Sequence, residues 1–381
     1  MHVLFIIIFA SVSAMAQGVA DDIWDAFHDQ DYDTAIVLSK NCYDLDTSNI
    51  ECLNILAKAY NKSGDQANAK TTLHKLEAKD SPNVDIYIQL ATIYEQQLQL
   101  PKAIKYYTKV NKLQPEVGLY FRKNANIYKS YKDYHKAAEL YEKAVQINPK
   151  DIVSIHGLSE MHIQLDRFSA ADSILQIGLD LDSTNISINY LIARSKYKQR
   201  QFESVVEVFD RIRGQVDLNS YYSKMLGYAY LQIDSIDLAV SKLQLALVDD
   251  ESSEKLHFYL ATAFEKLGNV DGAMVHYEKA VEHAVSPDLD LYHRHVGRVA
   301  NDNNDLKKAI AAYKDAYKYG DDPVMLYYLA TASDKYYKDK AIAINYYNRY
   351  LTTDHRQQEY KQYAKERSRY LKEINHQRKG K

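Results

Sequence analysis

Small residues recur along this chain at intervals of 34 positions, and apolar residues flank each of them with helical spacing. The series has an alanine at nine of its ten positions, and its only irregular step is the 36 residues from Ala273 to Ala309. A unit of this length cannot bury an apolar face alone, so we expect a stacked array of units. The series comprises Ala35, Ala69, Ala103, Ala137, Ala171, Val205, Ala239, Ala273, Ala309 and Ala343.

A second series of small residues runs twelve positions upstream of the first, and tyrosine or phenylalanine follows both series at fixed offsets. Two small positions in each period predict two helices that cross closely. In one period these are a first helix over Ile86–Leu98 and a second helix from Lys102 to Leu113. The second series comprises Ala57, Ala91, Ala125, Ser159, Ala193, Gly227, Ala261, Gly297 and Thr331.

Stretches such as Asp133–Ala138 and Ile147–Pro149 resemble the tetratricopeptide repeat, and the resemblance extends from Ala16 to Gln357. It implies an all-α fold, namely a right-handed α-α superhelical solenoid of tandem helix-turn-helix repeats, about ten in this chain, with a C-terminal capping helix. It also implies that the protein binds other proteins and is not an enzyme.

The sequence predicts three segments: a signal peptide, a solenoid and a C-terminal capping helix with a basic tail. Residues 1–16 combine an apolar run, Val3–Ala10, with Ala14–Ala16 ahead of Gln17, which is the order of a secretory signal peptide, although only the amino terminus and His2 precede the run. The run is shorter than the roughly 20 apolar residues that span a bilayer. We expect the solenoid over residues 17–357 and a capping helix with a basic tail over residues 358–381.

The chain has two cysteines, Cys42 and Cys52, which lie across the first turn between repeats. In an oxidising compartment they could form a disulfide. They could equally be two small apolar core residues, since Cys42 falls in a register that holds alanine in other repeats. Both interpretations stay open at this stage.

Charge is distributed unevenly between the two ends. Residues 16–49 contain eight aspartates and only Lys40 as a basic residue, whereas residues 358–381 contain eight Lys or Arg against three glutamates. Aspartates suit helix starts, and a polar last helix suits the end of a stack. The same distribution is compatible with head-to-tail self-association or with a basic tail that contacts an anionic surface.

Patterns typical of catalytic sites are absent from the sequence. It has no phosphate-binding glycine loop, no paired-cysteine motif and no Gly-x-Ser-x-Gly elbow. His293 and His295, near His283, are two positions apart on a predicted helix and point to different faces, which disfavours a shared metal. We expect no catalytic residues, no metal and no cofactor.

The predicted binding surface is the inner stripe of the first helices. It falls at positions 2, 5, 9, 12 and 13 of each 34-residue window, where the windows begin at residues 50, 84, 118, 152, 186, 220 and 254. Aromatic side chains beside Arg and Lys suit an extended peptide or an acidic segment. The predicted partner-binding residues are Arg122, Asn126, Lys129, His156, Tyr190, Arg194, Tyr197, Lys198, Tyr221, Lys224 and Tyr228.

These observations favour a non-enzymatic scaffold or adaptor that binds a peptide segment or partner protein along its concave face. The signal peptide places it in the periplasm or outer envelope of a bacterium, with no transmembrane span. The alternative is a protein that binds cell wall or polysaccharide, with tyrosines stacked on sugar rings. Nucleic acid is not an expected partner, because no base-reading side chain recurs at a fixed inner position.

Overall fold

The computed structural model describes residues 21–354 and 357–379, and all regular secondary structure among these residues is α-helical. The described residues form two compact units, which divide between Leu191 and Ile192. We call them the N-terminal unit and the C-terminal unit. The predicted signal peptide lies outside the described residues. No helix within the described ranges is long and apolar enough to cross a membrane.

The N-terminal unit consists of consecutive helices, and from α2 to α10 each packs on the next. First and second helices of the repeats alternate, and most are 13 or 14 residues long. The helices are α1 (21–28), α2 (Tyr32–Leu45), α3 (Ile50–Lys62), α4 (Gln66–Lys79), α5 (Val84–Gln96), α6 (Leu100–Leu113), α7 (Gly118–Ser130), α8 (Tyr134–Ile147), α9 (Ile152–Gln164), α10 (Phe168–Leu181) and the first half of α11 (Ile186–Lys198).

The C-terminal unit continues the same alternation from the second half of α11, and from α12 to α21 each helix packs on the next. Its remaining helices are α12 (Phe202–Arg211), α13 (Ser220–Gln232), α14 (Ile236–Leu247), α15 (Glu254–Lys266), α16 (Val270–Glu282), α17 (Leu289–Asp302), α18 (Leu306–Gly320), α19 (Val324–Tyr336), α20 (Ala341–Leu351) and α21 (Gln358–Lys379). The predicted all-α array of helix pairs is confirmed.

Short polar residues start many of these helices because their side chains accept hydrogen bonds from backbone N–H groups that the first turn leaves without partners. Asp65, Asp133 and Asp305 cap the second helices α4, α8 and α18 in this way. Asn49, Asn83 and Asn219 cap the first helices α3, α5 and α13. The first residues of these helices are therefore determined by the local sequence.

The two series of small residues lie where first and second helices cross. All ten members of the first series have no solvent exposure. In the second series, a Cβ added to Gly227 would lie 2.8 Å from Leu243 Cγ, and one added to Gly297 would lie 2.6 Å from Tyr313 Cδ1. These distances are too short for a side chain, so the close helix approach requires the small residue.

Cys42 at the end of α2 and Cys52 at the start of α3 form a disulfide in this structure. Their Cα atoms are 6.0 Å apart, within the usual range for a bridged pair. The bond closes the turn between the first two described repeats. Cys52 is also 2% exposed and packs with Ile23 and Ile55, so it contributes to the apolar core as well.

The last helix, α21, packs on α20 and covers the end of the apolar core. Its buried positions are Ala364, Ser368 and Leu371, spaced by helical periodicity. Tyr360 stacks on Tyr327 of α19 with the ring centroids 4.5 Å apart. The prediction of a C-terminal capping helix is confirmed, with residues 380–381 of the basic tail outside the described residues.

Candidate binding surface

The predicted partner-binding residues lie on four first helices, α7, α9, α11 and α13. In the N-terminal unit they are Arg122, Asn126 and Lys129 on α7, His156 on α9 and Tyr190 on α11. In the C-terminal unit they are Arg194, Tyr197 and Lys198 on α11 and Tyr221, Lys224 and Tyr228 on α13. Asn126, Lys198 and Tyr221 are exposed and the other eight are half-buried.

In the N-terminal unit, carboxylates balance the cations of α7. Arg122 Nε lies 3.2 Å from Asp151 Oδ2, and Lys129 forms an ion pair with Glu160. Asn126 Oδ1 accepts a hydrogen bond from the Tyr141 hydroxyl. These side chains therefore already stabilise contacts between neighbouring helices, and an acidic ligand would have to compete with Asp151 and Glu160.

A similar use of polar inner residues recurs in both units. In the N-terminal unit the Tyr107 hydroxyl donates to Glu95 Oε2 at 2.6 Å. In the C-terminal unit the Tyr277 hydroxyl donates to Glu265 Oε2 at 2.9 Å. The Arg298 guanidinium also pairs with Glu265 and holds the pKa of this carboxyl below its usual range. Sequence reasoning overlooked both glutamates, although each is at window position 12 of its repeat.

The C-terminal unit differs because tyrosines of three successive first helices contact one another. The rings of Tyr197 on α11 and Tyr228 on α13 meet edge to face, with centroids 5.7 Å apart. Tyr228 in turn lies 4.5 Å from Tyr259 on α15. Phe202 packs edge to face on both Tyr197 and Tyr228, at 6.0 and 5.6 Å. A continuous aromatic surface thus connects three repeats.

Tyr259 was not among the predicted binding residues, because it falls outside the expected inner positions. The sequence does contain a signal for it: Tyr197, Tyr228 and Tyr259 are spaced by 31 residues, which is one repeat minus about one helical turn. Residues with this spacing lie on a line that runs diagonally across successive first helices. The predicted inner stripe instead repeats every 34 residues.

Burial is the main influence on the pKa of two of these tyrosines. It raises the pKa of Tyr197 and brings the pKa of Tyr259 to about 12, with a smaller contribution from the neighbouring tyrosines. The hydroxyls of Tyr197 and Tyr259 are therefore neutral at physiological pH and can donate or accept hydrogen bonds. All three residues are half-buried, so part of each remains exposed to solvent.

Tyr221 and Lys224 extend the aromatic surface along α13. Tyr221 is 52% exposed and meets Tyr222 edge to face at 5.0 Å. Lys224 is half-buried and has no ion pair within the described residues. We call the set of Tyr197, Tyr221, Lys224, Tyr228 and Tyr259 the tyrosine face.

The three histidines considered as metal ligands contact different partners. The His293 ring stacks on Tyr319 with centroids 5.6 Å apart, and the His295 ring stacks on Tyr277 at 5.0 Å. His283 stacks instead on His257 at 5.7 Å. Within the described residues, no group of three or more His, Cys, Asp or Glu side chains is arranged to hold a metal ion.

Comparison with family models identifies tetratricopeptide repeats in both units. One tetratricopeptide repeat model matches residues 84–117 and 125–151, and a second matches residues 258–324. Comparison with the curated proteins gives no match.

Several solved structures are similar to this chain. A tetratricopeptide repeat protein from Parabacteroides merdae ATCC 43184 is 15% identical, with 66% of this chain and 99% of that chain covered and a TM-score of 0.46. PilF of Pseudomonas aeruginosa is 17% identical, with 54% and 94% covered and a TM-score of 0.44. A structure of Naa15/Naa10 bound to HypK-THB is 11% identical, with 92% and 65% covered and a TM-score of 0.47.

Proposed function

Because the chain is a tetratricopeptide repeat protein, we propose that it is a non-enzymatic scaffold that binds a segment of a partner protein on the tyrosine face. Repeat arrays of this family act in general as protein-interaction scaffolds. The contact between Tyr197, Tyr228 and Tyr259 across three repeats is the observation that carries the proposal.

The chemistry of the tyrosine face suits a protein segment. Tyrosine presents a large apolar area with only two rotatable side-chain bonds, so little conformational entropy is lost when it is covered. Its hydroxyl can bind the backbone carbonyls of an extended chain. Such aromatic clusters commonly contribute most of the binding free energy in protein interfaces.

Charge favours the tyrosine face over the equivalent surface of α7 and α9. There, Arg122 and Lys129 are paired with carboxylates, and a ligand must separate these pairs. Lys224 of the tyrosine face has no such partner within the described part of the chain. It can therefore bind a carboxylate or a carbonyl of the partner without first losing an ion pair.

We also propose that the protein is secreted and acts in the periplasm or at the outer envelope. Support comes from the sequence of residues 1–16, with its apolar run and small-x-small site before Gln17. Amino-terminal sequencing of the protein from its host tests this step. A mature chain that begins at Gln17 is expected, and a retained Met1 would contradict secretion by cleavage.

Affinity capture from the envelope fraction tests the binding face. The bait is the untagged chain from Gln17, coupled through amines and compared with a Tyr221→Ser/Lys224→Glu variant. The loss of one aromatic ring and the reversal of one charge on the tyrosine face are expected to weaken partner recovery roughly tenfold or more. Tyr221 is exposed, and Lys224 is half-buried with no ion pair within the described residues, so the circular dichroism spectrum should match that of the wild type.

A matched control changes the same residue types elsewhere. Tyr131, which is 50% exposed, and exposed Lys132 lie in the turn after α7, away from the first-helix face. A Tyr131→Ser/Lys132→Glu variant should retain the partner set of the wild type. Equal recovery by wild type and the Tyr221/Lys224 variant would refute the proposed face.

A further inference from the structure

A cationic surface cleft lies between α20 and α21, at the end of the C-terminal unit. It has a volume of about 720 Å³ and is lined by Asn345, Asn348, Arg349, Thr352 and Lys372 among others. We call it the C-terminal cleft. Amides, a hydroxyl and two cations are the groups that bind carboxylates in proteins, and none of them has a role in the tyrosine face.

Among the described residues, the two cations of the C-terminal cleft have no acidic partner. The Arg349 guanidinium carbon lies 5.6 Å from the Tyr317 ring centroid and 5.8 Å from that of Tyr346. These aromatic contacts hold the planar fork in place and leave its N–H donors available. Lys372 Nζ is 3.4 Å from Asn348 Oδ1, and neither cation forms an ion pair within the described residues.

The exposed side of α21 is largely polar, because Lys365, Glu366 and Arg369 on this helix are exposed. Tyr363 and Tyr370 are 46% and 51% exposed. An occupant of this end can therefore bind by charge and by contacts with exposed rings.

The opposite end of the chain supplies a complementary surface. All eight aspartates of residues 21–46 are exposed. Asp31 and Asp46 accept local hydrogen bonds from Thr34 and Ser48, so they are committed to helix and turn structure. No ion pair within the described residues involves the other six, which are Asp21, Asp22, Asp25, Asp29, Asp33 and Asp44.

We propose that the C-terminal cleft binds the acidic α1–α2 surface of a second copy of this chain, so that copies associate head to tail. Exposed ion pairs contribute less than about 1 kcal/mol each, so several must act together. The association is therefore weak and is lost at high ionic strength, where the screening length falls to a few ångströms. It involves residues that the binding of a partner on the tyrosine face does not use.

Sedimentation velocity of the untagged chain from Gln17 tests this inference. Wild type is expected to form concentration-dependent oligomers in about 20 mM salt and to be monomeric in about 500 mM salt. Two variants remove one surface each: Arg349→Glu/Lys372→Glu at the cleft and Asp22→Lys/Asp25→Lys at the acidic surface. Each alone is expected to associate at least tenfold more weakly than wild type.

Mixing the two variants is the decisive step. Their unmodified surfaces complement each other, so a heterodimer should form although neither variant self-associates. A Lys112→Glu/Lys150→Glu variant reverses two exposed lysines elsewhere and carries the same charge change as the cleft variant. It should associate like wild type. A monomeric wild type in low salt, or a cleft variant that associates like wild type, would overturn the proposal.

Discussion

At the scale of single residues, a hydrogen-bonded pair of histidines, His257 and the half-buried His276, links the turn before α15 to α16. His257 is 1% exposed, and its Nε2 lies 2.9 Å from the carbonyl oxygen of Glu251. A carbonyl only accepts, so Nε2 carries the proton and Nδ1 of the neutral ring is an acceptor. His276 Nδ1, at 2.9 Å, must then donate to it. Protonation of His257 at Nδ1 would break this hydrogen bond, whereas the burial of His276 disfavours a charge on that ring.

The pH dependence of stability should reveal this pair. Burial, with the nearby His257 and Lys279, lowers the pKa of His276 to about 4, from an ordinary value of 6.5. A depressed pKa means that the unfolded chain takes up the proton first. The contribution is therefore complete above about pH 6.5 and is lost as the pH falls towards 4. We predict that His276→Gln, which keeps a donor to His257, loses less melting temperature between about pH 7 and pH 5 than wild type. Equal losses would contradict this assignment.

The small residues at helix crossings could be predicted because their period is visible in the chain, whereas the charge pairs could not. Lys129 pairs with Glu160 and Arg298 with Glu265, at separations of 31 and 33 residues. These separations are close to one repeat, but charged residues are common on every exposed helix face. Which of them meet depends on side-chain directions that only the packed structure defines. The neutralised surface of α7 was overlooked for this reason.

At the scale of elements, the turn between the two helices of a repeat needs a residue in the left-handed conformation. Such residues recur every 34 positions, and the series is Gln30, Gly64, Leu98, Lys132, Asp166, Arg200, Asp234 and Gly268. Their φ angles lie between 53° and 87°. Only two of the eight are glycine, so the turn imposes this conformation on residues that disfavour it.

Replacement of a glycine and replacement by a glycine at these turns should therefore change the free energy of unfolding in opposite directions. Gly268→Ala is predicted to lower the free energy of unfolding by about 1 kcal/mol, because alanine is strained at φ 71°. Leu98→Gly should raise it by up to about 1 kcal/mol, since Leu98 is 80% exposed and has little packing to lose. Urea denaturation measures both. A destabilised Leu98→Gly protein would show that its side chain, not its backbone, determines the effect.

Two departures from regular elements mark the limit of prediction from the period. Helix α12 has 10 residues where most second helices have about 14, and Gly214 at φ 79° lies in the loop that follows it. The irregular step before Ala309 is accommodated because Glu254 accepts hydrogen bonds from the backbone N–H groups of Val285 and Ser286, at 2.6 and 3.1 Å. Neither departure follows from the repeat period, because both depend on the local sequence of one repeat.

At the scale of the whole molecule, an array of repeats is stabilised mainly by contacts between neighbours, so its last helix depends on a single interface. The interface that holds α21 includes a buried carboxylate on α19. The Asp334 side chain is 7% exposed and receives Arg367 Nε at 2.7 Å and Lys340 Nζ at 3.3 Å. The sequence places an aspartate where other repeats have an aromatic residue, and its partner lies 33 residues away.

The Asp334–Arg367 pair should therefore be a measurable part of the attachment of α21. We predict that Arg367→Ala lowers the free energy of unfolding by about 1–3 kcal/mol, because it removes a hydrogen bond to a buried carboxylate. Arg369→Ala is the matched control on the same helix. The Arg369 side chain is 85% exposed, and its one ion pair within the described residues is with Glu373, one turn away, so the cost should stay below about 0.5 kcal/mol. A double-mutant cycle with Asp334→Ala isolates the pair, with an expected coupling above about 1 kcal/mol. A coupling near zero would mean that Lys340 alone satisfies Asp334, and that the apolar contacts of Tyr360, Ala364 and Leu371 hold the helix.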